Sequence, residues 1–398
     1  RALAAGLLVV AAAAAPQAAG AGAGSWTFAG SLALELRYFP QQPAFAGQVD
    51  GVQPSVALAP EWRWRSAGRR HRLDVAAFGR WDGRDGERRH LDLREASYRY
   101  VGDSVELLAG ISRVFWGVTE SRHLVDVINQ TDAVEDVDEE DKLGQPMVRL
   151  AWGRPWGRLE LYALLGFRRR TLPGEEGRLR PPLPVDRRAR FASGAGADRL
   201  DWALRYSHAT GGWDVGAYLF RGVGRGPRLV PAADGRRLLP LYQVVDQAGI
   251  DVQHTRGAWL FKLEALARAG QGRGFGAAVA GFERTVYQVA GSAADVGLLL
   301  ELLWDGRGPT APATSFDRDL FAGARLALND VPSSQLLAGA VIDLGDGSVA
   351  AFVEASRRVG GRYVVELEAR LFPRADPAGD LAAVARDGFV TLRAAWHW

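Results

Sequence analysis

Cysteine is absent from this 398-residue chain, which excludes disulfide bridges, thiolate zinc sites and cysteine nucleophiles. Lysine is almost absent as well: it occurs at Lys142 and Lys262, so arginine carries nearly all of the positive charge. The formal net charge is +3, but no basic run stands clear of acidic residues, and we do not expect nucleic-acid binding. Beyond the N-terminus, no stretch approaches the roughly 18 uninterrupted apolar residues that a membrane-spanning helix needs.

The N-terminus combines one arginine, an apolar run and a series of small residues, reading RALAAGLLVVAAAAAPQAAGAGAGS. This order is typical of a secretory signal peptide, because the small residues suit a cleavage site. We therefore predict a signal peptide over residues 1–23. An N-terminal membrane anchor is the alternative interpretation.

From Trp26 onward the dominant hydrophobic period is two residues. In the segment SWTFAGSLALELRYF, Leu34 and Leu36 alternate with Glu35 and Arg37, which places apolar and polar side chains on opposite faces of a strand. Most such segments have 10–14 residues, and a tilted strand needs about 9–11 to cross a bilayer. Eighteen strands are predicted, near 26–39, 52–65, 70–81, 90–101, 104–113, 145–153, 157–168, 198–208, 213–222, 241–255, 258–269, 274–286, 293–304, 318–328, 334–344, 348–358, 361–372 and 388–398.

The connections between these strands alternate between short turns and mostly longer loops. That alternation is the pattern of outer-membrane barrels, in which periplasmic turns are short and external loops are long. We therefore predict that residues 24–398 form one all-β, transmembrane antiparallel barrel of about 18 strands, with 16 as the alternative count, in the cell outer membrane. Outer-membrane lipid is then the expected surrounding.

The chain ends in FVTLRAAWHW, an alternating segment with an aromatic last residue. It resembles the last strand of bacterial outer-membrane proteins, which the barrel-assembly machinery reads. The resemblance implies that machinery as a partner through Trp398. Porins are commonly trimers, so a homo-oligomer is compatible with the sequence, although no residue pattern marks an interface.

Charged side chains occupy the strand face opposite the apolar one. They would pair across neighbouring strands or line water, since a barrel of this width is too wide for side chains alone to fill. An aqueous pore is the prediction that follows. Its expected lining includes Arg63, Arg72, Arg80, Arg149, Arg205, Arg325 and Arg370.

The loop 114–144 is the third long connection, and it is bulky and partly apolar. In porins the third external loop folds into the barrel and narrows it, and this sequence resembles them in that order. Spacing within ESRHLVDVINQ, at Leu124, Val127 and Ile128, predicts a helical stretch. We therefore expect a partly helical constriction. The predicted constriction residues are Glu120, Asp126, Asp132, Glu135, Asp136, Asp138, Glu139, Glu140 and Asp141.

These carboxylates allow more than one function. In a pore they would favour cations, yet residues 168–190 of the next loop contain eight arginines. The two loops could latch together, or face each other and orient a dipolar or zwitterionic solute. A further alternative is Ca²⁺ binding by Asp136, Asp138 and Asp141, although the glycine of an EF-hand turn is missing.

A motif in the same region comprises Trp116-Gly117, then Asp126 and Asn129 three apart, then Asp132. It resembles a largely uncharacterised group of proteobacterial outer-membrane barrels over residues 112–150, a likeness that implies the barrel and no substrate. No nucleophile, metal-protease or dinucleotide motif is present, so we expect no enzyme activity, no cofactor and no metal. The predicted function is a porin-like channel for small hydrophilic solutes. The alternative is a plugged structural or assembly-partner barrel.

Overall fold

The computed structural model describes residues 24–398, and the predicted signal peptide, 1–23, lies outside the described residues. The structure consists of strands and loops with three short 3₁₀ turns. No helix within the described range is long and apolar enough to cross a membrane. The strands are β1 (Ser25–Phe39), β2 (Gly51–Arg65), β3 (His71–Asp82), β4 (His90–Val101), β5 (Val105–Ser112), β6 (Gln145–Arg154), β7 (Gly157–Leu165), β8 (Arg190–Phe191), β9 (Leu200–Thr210), β10 (Trp213–Val223), β11 (Arg228–Pro231), β12 (Leu238–Tyr242), β13 (Val244–Arg256), β14 (Trp259–Ala269), β15 (Phe275–Val286), β16 (Asp295–Asp305), β17 (Arg318–Ala327), β18 (Gln335–Asp343), β19 (Val349–Val359), β20 (Tyr363–Arg374) and β21 (Phe389–His397).

Eighteen of these strands form one closed antiparallel barrel, which confirms the predicted fold and strand count. Each barrel strand pairs with its sequence neighbours, and β1 closes the ring by pairing with both β2 and β21. The three remaining strands, β8, β11 and β12, form a separate small sheet. The predicted strand 241–255 was therefore too long at its start, because Leu241 and Tyr242 belong to that small sheet and the barrel strand begins at Val244.

The barrel reverses the polarity of a soluble core. Along β1, Leu34 and Leu36 are 61% and 52% exposed, whereas Glu35 and Arg37 are buried. An outer surface with this density of apolar side chains suits lipid rather than water. Charged side chains are placed inside because a charge on the lipid face would cost about 2–4 kcal/mol near the bilayer midplane. The alternation read from the sequence therefore has the predicted sense, with the polar face inside.

The two ends of the barrel differ in their connections. Short turns such as 102–104, 155–156 and 257–258 lie at one end, named here the short-turn end. The other end, the long-loop end, carries the segments 113–144 and 166–199. Exposed or half-buried aromatic residues gather near the short-turn end, as expected of girdle positions; they are Trp26, Trp62, Trp64, Tyr98, Tyr100, Trp396 and Trp398.

Candidate pore and its constriction

Residues 113–144, called the third loop here, contact opposite walls of the barrel. Asp132 accepts a 2.5 Å hydrogen bond from Arg94 of β4. Glu301 of β16 accepts hydrogen bonds of 2.8 Å from the backbone N–H groups of Glu120 and Ser121. Because β4 and β16 are nine positions apart in a ring of eighteen, these contacts join diametrically opposite walls through one segment.

The contacts of Glu120 extend towards the short-turn end. Its carboxylate lies 2.7 Å from Arg325 and 3.6 Å from Lys262. Arg325 is two residues from the short-turn end of β17, and Lys262 is three residues from that end of β14. The third loop starts and ends at the long-loop end, so Glu120 contacts the wall well below the loop's own starting strands.

Glu264 and Glu301 form what we name the acidic anchor of the third loop. Glu264 is fully buried and accepts hydrogen bonds from Val118 N–H at 2.7 Å, Thr119 N–H at 3.1 Å and the Thr119 hydroxyl at 2.7 Å. Its other oxygen accepts the N–H of Val125 at 3.2 Å. Several hydrogen-bond donors stabilise a buried carboxylate, and His123 lies 3.8 Å from the same carboxylate.

The acidic anchor explains why the predicted helix within residues 120–130 is wrong: the structure has only turns and bends there. The N–H of Val125, which a helix would direct to the carbonyl of Ser121, is instead bonded to Glu264. Asp126 also bonds to an earlier part of the loop, accepting the N–H of Trp116 at 3.4 Å. Tertiary hydrogen bonds have replaced the local ones.

Arg80 and Arg94 form the opposite attachment, the basic anchor. The buried Arg80 lies 2.7 Å from Glu135 and 3.0 Å from Glu35 on β1. Arg94 pairs with Asp132 and donates to the Lys142 carbonyl at 2.8 Å. Each buried charge therefore has an opposite charge and a hydrogen bond, which offsets the cost of desolvation.

An apolar face attaches the third loop to the strands between the two anchors. Trp116, Val125 and Ile128 are buried in a cluster with Met147 and Tyr162 of the wall. Trp116 meets Tyr162 edge-on, with 5.5 Å between ring centroids. Most apolar residues of the loop are at least partly buried; Phe115 and Val137, 59% and 40% exposed, are the exceptions.

The residues of the sequence motif have structural roles. Asn129 accepts the N–H of Val114 at 2.8 Å and donates to the carbonyls of Ser112 and Leu143 at 2.9 Å, so it clasps the two ends of the loop. Asp126 pairs with Lys142 at 3.1 Å. At Gly117, φ is +151° and an added Cβ would lie 2.8 Å from His123, so the Trp-Gly step needs glycine there.

The nine predicted constriction carboxylates do not share one role. Five of them lie near arginines of the wall: Glu120, Asp132, Glu135, Asp136 and Asp138. Asp126 lies near Lys142, Glu139 near Arg170 and Glu140 near His123. Asp141 makes no ion pair in the described structure. Between residues 134–141 and the arginines of 168–190, the described residues form one ion pair, Glu139 to Arg170 at 2.8 Å. The acidic run is thus attached mainly to the barrel wall, not to the neighbouring loop.

The seven predicted lining arginines are mostly paired with carboxylates on the wall or the loop. Arg63 and Arg72 lie 3.8 Å and 2.5 Å from Asp74, Arg149 pairs with Glu106, and Arg205 lies 2.8 Å from Asp251. Arg80, Arg325 and Arg370 pair with the third loop. Pairing across strands, left open by the sequence, accounts for Arg63, Arg149 and Arg205, whereas Arg72 pairs with Asp74 on its own strand β3. The last three arginines pair with carboxylates of the loop.

Two cavities lie on either side of the third loop and share part of their lining. The larger, about 650 Å³, extends towards the long-loop end, and the smaller, about 320 Å³, towards the short-turn end. Asp138, Arg325, Leu337, Glu354 and Arg370 line both. We name these five residues the aperture. It lies between the loop and strands β17–β20, on the side of the barrel that the two anchors leave uncovered.

Two carboxylates of the third loop have pKa values raised towards neutrality, Asp138 at the aperture and Asp141 near the basic anchor. Desolvation inside the barrel, followed by the charge of Asp136, raises the pKa of Asp138 to about 7, even though 28% of its side chain is exposed. Desolvation and the charge of Glu135 raise the pKa of Asp141 to about 6. The charge around the aperture is therefore sensitive to pH in the physiological range.

Sequence reasoning missed the acidic anchor and one polar triad. His90, Asp132 and Glu135 bring their potential ligand atoms within 4.8 Å of one another, the one such group among residues 24–398. Arg94 and Arg80 already pair with its two carboxylates, so cationic side chains take the place that a metal ion would have. It fits an ion-pair network better than a metal centre. The Ca²⁺ alternative for Asp136, Asp138 and Asp141 has no comparable cluster in the described residues.

Solved structures identify the class of the fold. A BenF-like porin from Pseudomonas fluorescens Pf-5 aligns over 94% of this chain and 98% of its own, with a TM-score of 0.55 and 11% identity. OccD3 (OpdP) from Pseudomonas aeruginosa aligns over 93% and 90%, with a TM-score of 0.53 and 11% identity. No protein-family model and no curated protein sequence matches the chain. The chain therefore has a porin-type, outer-membrane β-barrel fold, and the likeness is one of structure.

Proposed function

We propose that this protein is an outer-membrane channel for passive diffusion of small hydrophilic solutes, with the third loop as its constriction. The single observation that supports this most strongly is the aperture. Asp138, Arg325, Leu337, Glu354 and Arg370 line the cavities on both sides of the loop, as expected of a path that runs past it. A plug packed against the whole wall would leave no cavity lined jointly by the loop and by strands β17–β20.

The polarity of the path suits hydrophilic solutes and a preference for cations. Around the smaller cavity, six carboxylates (Glu35, Asp136, Asp138, Glu354, Glu366 and Glu368) face three arginines (Arg325, Arg370 and Arg393). An excess of carboxylates at a narrow point favours cations, and local charge there outweighs the small positive net charge of the chain. Arg325 and Arg370 next to Asp138 also support the orientation of dipolar solutes.

Membrane placement and assembly follow from the same proposal. The outward apolar strand faces and the aromatic residues at the short-turn end suit outer-membrane lipid. Trp398 donates its backbone N–H to the Gly30 carbonyl at 3.2 Å and lies 5.0 Å from Trp396 between ring centroids. The aromatic end of this strand supports recognition by the barrel-assembly machinery, and the outer surface is compatible with a homo-oligomer.

Substitution of two wall leucines tests the channel. Leu337 lies in the aperture, whereas Leu302 of β16 is 57% exposed on the outer face and lines neither cavity. We expect the purified protein to conduct in planar bilayers, Leu337→Trp to lower the single-channel conductance, and Leu302→Trp to leave it unchanged. Electrical silence of the wild-type protein, persisting after deletion within the third loop, would favour the plugged structural barrel instead.

A further inference from the structure

Five aspartates gather at the long-loop end of β17 and β18, away from the aperture. They come from three loops and two strands: Asp317, Asp319, Asp343, Asp346 and Asp380. Asp305 on the adjacent strand is neutralised by Arg307 at 2.5 Å and Arg122 at 3.5 Å. None of the five aspartates takes part in an ion pair within the described residues, and the nearby Arg122 and Arg374 act on Asp319 and Asp346 only from a longer distance. Five carboxylates thus share this corner without a directly paired cation.

Asp319 is the least expected member of this group. It is 1% exposed, and its Oδ2 atom is buried without a hydrogen-bond partner. In the strand register it lies directly across from Asp343, where side chains on the same face are about 4.5–5.5 Å apart at Cβ and like charges repel. A buried carboxylate without a donor or a cation is costly, and this one has a second carboxylate opposite it.

Four of these carboxylates border the same cavity. Asp319, Asp343, Asp346 and Asp380 all line the larger cavity. The Oδ1 atom of Asp343 accepts the N–H groups of Gly345 at 2.6 Å and Asp346 at 3.0 Å, which fixes its carboxylate at the strand end. Burial, followed by the charges of Asp317, Asp343 and Asp346, raises the pKa of Asp380. The Asp380 carboxylate is therefore close enough to these three for their charges to affect it.

We propose that Asp319 and Asp343 bind a hard divalent cation of the calcium class, with carboxylates of the adjacent loops and water completing its coordination. The donor set consists of carboxylate oxygens, and Ca²⁺ takes about 6–8 oxygen ligands in flexible geometry. In this structure the five aspartates do not bring three ligand oxygens within 4.8 Å of one another. Cation binding therefore draws Asp317, Asp346 and Asp380 inward and ties three external loops together.

Calcium titration of the full-length protein in detergent tests the site. Isothermal titration with CaCl₂ should show saturable binding, with a dissociation constant of about 10⁻⁴–10⁻³ M, the range of extracellular modules. Asp319→Asn keeps the shape and removes the charge, and it should weaken binding at least tenfold. Because it also relieves like-charge repulsion, it should fold at least as well as the wild type, which heat-dependent gel mobility can verify.

Asp103→Asn is the matched control, because the Asp103 side chain is 91% exposed at the short-turn end. It should leave calcium affinity unchanged. The proposal is overturned if the wild-type protein shows no saturable heat, if Asp319→Asn binds calcium as tightly as the wild type, or if Asp103→Asn weakens binding as much. This outcome is independent of conductance, so the site and the channel can fail separately.

Discussion

Two anchors of opposite charge attach the third loop to the barrel wall, and they bind different groups of the loop. At the basic anchor, Arg80 and Arg94 of the wall pair with carboxylates of the loop. At the acidic anchor, Glu264 and Glu301 of the wall accept N–H groups of the loop backbone. The first depends mainly on loop side chains, whereas the second depends mainly on the loop backbone, with the Thr119 hydroxyl as a further donor. The charge of loop side chains thus dominates one attachment, and the direction of the loop backbone dominates the other.

The difference also locates the candidate pore. The two anchors and the apolar cluster fill the space next to strands β3–β7 and β14–β16. Next to β17–β20 the contacts are sparser, and the five aperture residues border both cavities. A path beside the loop is thus a consequence of where it is attached.

Removal of the basic anchor should have the largest effect on stability. Arg80→Ala leaves Glu135 buried without its closest cation and removes a partner of Glu35. Breaking a buried pair typically costs about 3–5 kcal/mol, so the free energy of unfolding should fall by that amount in guanidinium titrations followed by tryptophan fluorescence. Arg70→Ala, at an exposed pair with Asp103, is the control and should cost about 1 kcal/mol or less. Equal losses in both variants would contradict a buried anchor.

Weakening of the acidic anchor should cost less. Glu264→Gln keeps the side chain's shape but turns one acceptor into a donor that faces backbone N–H groups. Leaving a buried donor unsatisfied costs about 1–3 kcal/mol. Amide exchange of Val118, Thr119 and Val125 should accelerate, while the amides at the basic anchor stay protected. Uniform acceleration across the loop would mean that the two anchors are not separate.

The smallest expected effect is on ion selectivity at the aperture. A carboxyl with a pKa of about 7, as for Asp138, is neutral below that pH and charged above it. Cation preference, measured as reversal potential in a salt gradient, should therefore fall as pH drops from 8 to 6. Asp138→Asn should show the weaker preference at both pH values. Glu106→Gln, on β5 beneath the apolar cluster, should behave like the wild type, and the differences should shrink at 1 M salt, where screening acts within about 3 Å.

Local sequence rules predicted the barrel but not the way the loop is held. Alternation such as Leu34–Glu35–Leu36–Arg37 follows from the geometry of a single strand. The number of strands and the face on which each side chain lies could therefore be predicted. The helix expected around Leu124 is absent, and the N–H of Val125, which it would have used, is bonded to Glu264, about 140 positions away in sequence. Nothing near Glu264 in the sequence indicates that role. The charge composition indicated that Glu135 would be paired with a cation. Which arginine pairs with it, Arg80, depends on the order of the strands in the barrel.

The most direct test of a path beside the loop uses the absence of cysteine from the chain. A single cysteine at Leu337 would lie in the aperture, whereas one at Leu164, 1% exposed within the apolar cluster, would lie behind the loop. We predict that a charged methanethiosulfonate reagent lowers the current through Leu337→Cys channels and leaves Leu164→Cys channels unaffected. Modification that blocks Leu164→Cys but spares Leu337→Cys would contradict the account.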